Sequence, residues 1–217
     1  MPTELARRPL ATREHASAKA LARALDRAGI APNAISIASL VFALAAGCSI
    51  FWSGETTGAV RVGALLAGAA LIQLRLLCNM LDGMVAIEGG RRTPLGEMFN
   101  DMPDRFADLA ILLGTGYSLA AFPWGIPLGW LAGMLALLTA YVRLLGASMG
   151  SRQYFVGPMA KPHRMAVLTV ACILSTLEPL LNWHGQILAF ALALVAAGSL
   201  VTILRRTRLI AAELKAR

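Results

Sequence analysis

The feature that most constrains this 217-residue chain is a succession of long apolar segments, at 33–53, 58–87, 95–120, 124–149, 163–182 and 185–204. A helix that crosses a bilayer needs about 20 largely apolar residues, and each segment reaches or approaches that length. A hydrophobic fraction of 57% and a mean hydropathy of +0.64 are too high for a soluble domain. The expectation is an all-α polytopic membrane protein with six transmembrane helices. Tight turns at Ser53–Gly58, Phe122–Pro123 and Asn182–Gly185 separate the spans on one side. The first thirty residues are basic and polar, so no cleavable signal peptide is expected. Cys48, Cys78 and Cys172 are scattered through apolar segments and read as buried packing residues, not as a disulfide or metal set.

The formal charge is +8. In a soluble protein that excess would suggest nucleic acid, but here its placement decides, and no nucleic-acid partner is expected. Arg7, Arg8, Arg13, Lys19, Arg23 and Arg27 precede the first span. Arg91 and Arg92 lie in the second connection, Arg152, Lys161 and Arg164 in the fourth, and Arg205, Arg206, Arg208, Lys215 and Arg217 in the tail. The opposite connections carry only Arg61. Lys and Arg collect on the cytoplasmic side of membrane proteins, which places both termini and the two basic loops in the cytoplasm, in a bacterial cytoplasmic membrane. The chain divides into an arm (1–32), a six-helix domain (33–204) and a basic tail (205–217). Within the arm, residues 12–30 put Lys19, Arg23 and Arg27 on one helical face and Leu21, Leu25 and Ala28 on another. That pattern suits either a helix lying on anionic headgroups or a solvated basic arm. Pro32 breaks this helix, and Asn33 and Ser36 are candidate caps for the first span.

The segment NMLDGMVAIEGGRRTPLGEMFNDMPDRFAD, residues 79–108, carries six of the twelve acidic residues: Asp82, Glu88, Glu97, Asp101, Asp104 and Asp108. Charge beside a bilayer is costly and usually functional. Residues three or four apart share a helix face, so Asn79, Asp82 and Ala86 align, as do Gly96, Asn100 and Asp104. Two polar helix ends joined by a short loop lie antiparallel, which lets Asp82 and Asp104 converge. Gly83, Ala86 and Gly96 leave room for a ligand or a close backbone approach. Convergent carboxylates favour a cation between them, and oxygen ligands favour Mg²⁺, Mn²⁺ or Ca²⁺ over zinc. A metal-bearing pocket at headgroup depth suits phosphoryl chemistry on a lipid.

These residues resemble the CDP-alcohol phosphotransferase (phosphatidyltransferase) family. Its signature runs Asp-x-x-Asp-Gly-x-x-Ala-Arg, then Gly-x-x-x-Asp-x-x-x-Asp. This chain reads Asn79-x-x-Asp82-Gly83-x-x-Ala86-Ile87, then Gly96-x-x-x-Asn100-x-x-x-Asp104. Arg105 after the last Asp and the start Ala31-Pro32-Asn33-Ala34-Ile35-Ser36 also look like the family. The resemblance implies transfer of a substituted phosphate from a CDP-linked donor, often CDP-diacylglycerol, to a small polar alcohol, with release of CMP. It implies Mg²⁺ or Mn²⁺, commonly as a pair of ions, and a homodimer among membrane lipids. Carried over by position, Asn79, Asp82 and Asn100 fall on metal-ligand positions, and Asp104 on that of a ligand or general base. Gly83 and Ala86 would let the CDP group sit against the backbone.

The chain departs from the signature at Asn79, Asn100 and Ile87. An Asn carbonyl ligates Mg²⁺ or Ca²⁺ without bringing charge, and two lost charges amount to several kcal/mol even at an effective dielectric of ~20. Glu97, Asp101, Asp104 and Asp108 form one acidic stripe, so Glu97 or Asp101 is a candidate for the missing charge, and Arg91 or Arg92 for the missing Arg. Alternatively Glu97 and Asp101 are solubilising edge residues, with Asp101 and Asp108 paired to Arg105. Lys161, His163 and Arg164 are donors suited to a substrate phosphate or to ordinary positive-inside anchoring. Arg75 and Arg143 lie within spans, where they should line the cavity or pair with carboxylates. Gly125, Gly129 and Gly133 at four-residue spacing suit a dimer face or packing within one bundle. The leading expectation is a metal-dependent phosphatidyltransferase in which Asp104 activates the acceptor hydroxyl. The rivals are a catalytically impaired relative that binds lipid or a partner, and a small transporter, for which no internal repeat speaks.

Overall fold

The structure, a computed structural model, describes residues 16–88 and 96–216, leaving aside the side chains of residues 87, 88, 97, 99 and 100. Among these residues it is all helical. The order is α1 (Ala16–Arg27), α2 (Pro32–Gly54), α3 (Gly58–Glu88), α4 (Gly96–Tyr117), α5 (Gly125–Ser148), α6 (Lys161–Ser175), a 3-10 turn at Glu178–Leu181, and α7 (Gln186–Lys215). Among the described residues, four helices are long and apolar enough to cross a membrane: α2, α3 through Ala86, α5 and α7. α4 has the length but an acidic first half, and α6 has 15 residues.

Sequence explains the boundaries. Pro32 supplies the first turn of α2, where its missing N–H costs nothing. No side chain caps that helix, so Asn33 and Ser36 do not act as caps. Ser36 turns instead toward α3, as described below. Asn182 and Gly185 take positive φ between the 3-10 turn and α7. α7 runs on through the stretch separated above as a tail.

Many large apolar side chains face outward, and small residues share the interior with Ile50, Leu65, Ile72 and Leu112. Val41, Trp130, Met134, Phe190 and Val201 are exposed, while Ala43, Ala46, Ala132 and Ala136 are buried. A belt of this kind marks an integral membrane protein, because lipid solvates it as well as a core does. Cys48 is exposed in this belt, contrary to expectation, whereas Cys172 is buried.

α4 sits centrally, packed on α2 and α5. Glycines set those approaches. A Cβ on Gly114 would lie 2.2 Å from the Gly47 carbonyl oxygen, and one on Gly129 would lie 2.8 Å from Gly116 Cα. The Gly125, Gly129 and Gly133 stripe therefore packs inside the bundle, against Leu119, Gly116 and Leu109 of the preceding segment. α1 lies against α3 through Ala18 and Ala22, which pack with Leu81, Met84 and Val85. Leu25 joins that contact while Leu21 stays exposed, so the inward stripe is Ala18–Ala22–Leu25.

Candidate active site

The acidic segment folds as two helix ends. The last turns of α3 carry Arg75, Asn79 and Asp82, and the first turns of α4 carry Asp101, Asp104 and Asp108. Asn79 joins them directly, its Nδ2 donating to Asp104 Oδ1 at 2.6 Å. Its Oδ1 accepts from Ser39 Oγ of α2 at 2.5 Å. One turn further along α3, Asp82 Oδ2 accepts from Ser36 Oγ at 2.6 Å. The other oxygen, Asp82 Oδ1, is buried with no hydrogen-bond partner. Gly83, Ala86 and Gly96 are half-buried around this junction.

Three cations enter from the side. Lys161, at the first position of α6, donates through Nζ to Asp104 Oδ2. Arg75, fully buried, places Nη2 2.6 Å from Asp108 Oδ1 and 3.5 Å from Asp104 Oδ1. Arg164 Nη2 reaches Asp108 Oδ2 at 2.5 Å. Asp108 thus pairs with two interior guanidiniums, and not with Arg105, which was one of the two alternatives the spacing left open. Arg105 does pair with Asp101, at 2.9 Å. Arg143 reaches the same Asp101 at 3.2 Å, donates to Gln153 Oε1 at 2.9 Å and lies over the Phe155 ring.

A second group of buried donors lies beside the first. Arg164 Nη1 donates to the Met159 carbonyl at 2.8 Å and to Thr139 Oγ1 at 3.3 Å. Arg206 of α7 donates to the Thr139 carbonyl at 2.5 Å and to the Val156 carbonyl at 2.9 Å. Both guanidiniums converge on Thr139, and Arg206 also anchors the 149–160 loop that leads to Lys161. His163 is exposed.

Arg91 and Arg92 lie outside the described residues, as do the side chains of Glu97, Asn100 and Ile87. Among the described residues, no group of three or more His, Cys, Asp or Glu converges on one point. Sequence reasoning passed over Ser39 and Thr139, small hydroxyls in apolar helices, and read Ser36 only as a helix cap. Arg206 looked like part of a basic tail, although its place within a continuous helix was a usable signal.

No family model matches the chain. Among curated proteins it is 28% identical over 191 residues to phosphatidylinositol phosphate synthase of Mycolicibacterium smegmatis, covering 86% of this chain and 80% of that one. It is 32% identical over 152 residues to archaetidylinositol phosphate synthase of Aeropyrum pernix, covering 69% and 72%. Among solved structures it resembles the phosphatidylinositol phosphate synthase of Mycobacterium tuberculosis. The complex of that protein with manganese and citrate gives a TM-score of 0.74 at 23% identity, covering 89% of this chain and 88% of that one. Its structure with CDP-DAG bound gives 0.73, covering 89% and 92%.

The bundle with its carboxylate junction at one end defines a polytopic membrane protein, and these likenesses narrow the class. The chain belongs to the CDP-alcohol phosphatidyltransferase family.

Proposed function

We propose that the protein transfers a phosphatidyl-type group from a CDP-linked lipid to a hydroxyl of a phosphorylated polyol, releasing CMP. The observation that carries this reading is Asp82 Oδ1, a buried carboxylate oxygen without a protein partner, one helical turn from Asn79 and its bond to Asp104. An orphaned buried acceptor is expensive and marks a place where a cation or substrate donor belongs.

The residues fit one oxygen-liganded divalent ion, Mg²⁺ or Mn²⁺, held by Asp82 with the Asn79 carbonyl and Asp104 beside it. Among the described residues they do not form a carboxylate set for two ions, since Asn79 carries no charge and Lys161 already engages Asp104. When bound, such an ion supplies Lewis-acid neutralisation of the diphosphate. The chain's own groups do the rest. Lys161 and Arg75 present positive charge to the donor phosphates. Asp104 takes the proton from the acceptor hydroxyl, whose oxygen attacks the β-phosphorus as the bond to the α-phosphate oxygen breaks and CMP departs. Because Lys161 and Asn79 each hold one Asp104 oxygen, proton acceptance coincides with Lys161 turning to the phosphates. The buried pair Arg164 and Arg206 around Thr139 suits a phosphate on the acceptor. That agrees with the names of the relatives, which make inositol phosphate lipids.

In this reading α4 and α6 complete six spans, with the site and both termini on the cytoplasmic side, as the Lys and Arg distribution supports. α1, with Arg23, Arg27 and Leu21 exposed, rests on the headgroups. A homodimer would use a face other than the glycine stripe, which is already packed inside the bundle.

The test is CMP release by the purified protein in detergent with CDP-diacylglycerol, Mg²⁺ or Mn²⁺ and an inositol phosphate. Release that is lost in Asp82→Ala and in Asp104→Asn is the expected result. No release with any alcohol acceptor would sink the proposal. A second reading, a relative that binds CDP-lipid without turnover, is favoured by Asn79 Nδ2 occupying one Asp104 oxygen. It expects donor binding without CMP release.

A further inference from the structure

Among the described residues, the buried charges of the site balance without help. Asp82, Asp104 and Asp108 face Arg75, Lys161 and Arg164, and five of the six are below 10% exposed, Lys161 being the exception. Arg75 and Arg164 share Asp108, Lys161 is committed to Asp104, and among the described residues Asp82 forms no ion pair. A divalent ion entering alone would add two positive charges to a neutral, poorly solvated cluster, which is unfavourable. It would also meet the Lys161 ammonium at Asp104. A diphosphate reverses both costs, because it brings at least two negative charges and gives Lys161 a new anionic partner.

We propose that Lys161 is an exchangeable internal counter-ion of Asp104 that couples metal binding to nucleotide binding, so that the site takes its divalent ion together with the CDP diphosphate. Lys161 acts through Asp104 while the site is empty of nucleotide and turns to the diphosphate when the nucleotide arrives. The proposal rests on the transferase reading for the identity of the nucleotide, but its core, competition between Lys161 and the ion, does not require turnover. Coupling is reciprocal: whatever factor CDP contributes to metal affinity, the metal contributes to CDP affinity.

The experiment measures Mn²⁺ binding to the full detergent-solubilised chain by titration calorimetry and by the Mn²⁺ spin-resonance signal. It is run with and without CDP, and corrected for the Mn²⁺–CDP complex in solution. For the wild type, CDP should tighten Mn²⁺ binding by on the order of tenfold or more. Lys161→Met should tighten CDP-free Mn²⁺ binding by roughly the same factor and shrink the coupling. Lys161→Arg, which keeps the charge, should restore wild-type behaviour, and the wild-type coupling stands as a measurement even if a variant folds poorly. Equal Mn²⁺ affinity with and without CDP, or a Lys161→Met protein with unchanged CDP-free affinity, overturns the proposal. If CDP does not bind at all, the transferase reading falls, and the CDP-free comparison of wild type with Lys161→Met still decides the role of Lys161.

Discussion

Two buried carboxylates lie at opposite ends of the bundle, and their surroundings differ. Arg61, near the start of α3, and Asp82, near its end, are 21 residues apart, about 32 Å along a helix and close to a bilayer's hydrocarbon thickness. At the Arg61 end, Glu178 is fully buried and both of its oxygens are used. Oε2 accepts from Arg61 Nη2 at 2.5 Å and from the Gly185 amide at 2.8 Å, and Oε1 accepts from the Ile187 amide at 2.7 Å. The amides come from the first turn of α7, whose orphan N–H groups need acceptors. Asp82 is almost as buried, yet one of its oxygens meets nothing. Equal burial with opposite satisfaction separates a carboxylate that holds the fold together from one kept open for chemistry.

The largest test of this contrast is functional. Asp104→Asn removes the proposed base and should lower the rate of CMP release by about 10²–10⁴-fold, the usual worth of a positioned proton acceptor. Asp82→Asn should abolish most turnover as well, but leave the melting temperature in detergent unchanged or higher, because it deletes a buried charge with a single hydroxyl donor. If Asp82→Asn unfolds the protein instead, the contrast with Glu178 collapses.

Glu178→Ala should do the reverse. It strands Arg61 in a buried site and deprives two α7 amides of acceptors, a loss of about 3–5 kcal/mol for breaking a buried pair. Thermal unfolding should show a clear fall in midpoint, with CMP release retained at low temperature. Turnover lost in proportion to Asp82→Asn, with the midpoint unchanged, would mean that the far end takes part in the reaction.

Much of this arrangement was readable in the sequence, for a physical reason. Span length and the Gly and Pro turns located the helices, because a bilayer dictates both length and backbone satisfaction. The four-residue spacing put Asp82 and Asp104 on facing helix ends; the structure joins those ends through Asn79 and Asp104 instead, while Asp82 takes Ser36 as its partner. What spacing could not show was the choice of partner. Asp108 has Arg105 three residues away, yet binds Arg75 and Arg164, because interior guanidiniums have no water to fall back on. Ser36 could cap a helix or reach across to Asp82, and only the packing of α2 on α3 decides. Glu178 was not singled out at all, since a lone acid before Pro179 carries no pattern.

A third test addresses the glycine contact that seats α4. Gly129→Leu places a side chain where Gly116 Cα already lies within 2.8 Å of a Cβ, so α4 and α5 must separate. Overpacking of this kind typically costs about 1–3 kcal/mol. Because α4 carries Asp104, CMP release should fall along with the melting temperature. A lower midpoint with full turnover would show that the outer part of α4 is decoupled from the site.

The smallest expected effect concerns the edge of the site. Asp101 is 40% exposed on its side chain and pairs with Arg105 at 2.9 Å, a setting in which an ion pair is worth below about 1 kcal/mol. Arg143 also touches Asp101, but Gln153 and the Phe155 ring hold it independently. Arg105→Ala should therefore shift the melting midpoint only slightly and reduce CMP release by no more than about threefold, the worth of an exposed pair. Asp101→Asn should behave the same way if the site's ionic charge rests on Asp82 and Asp104. A hundredfold loss of CMP release in Asp101→Asn would instead place Asp101 among the groups that replace the charge missing at Asn79 and Asn100. The reactive region would then extend one turn toward the start of α4, and the contrast between open and satisfied carboxylates would have to include a third.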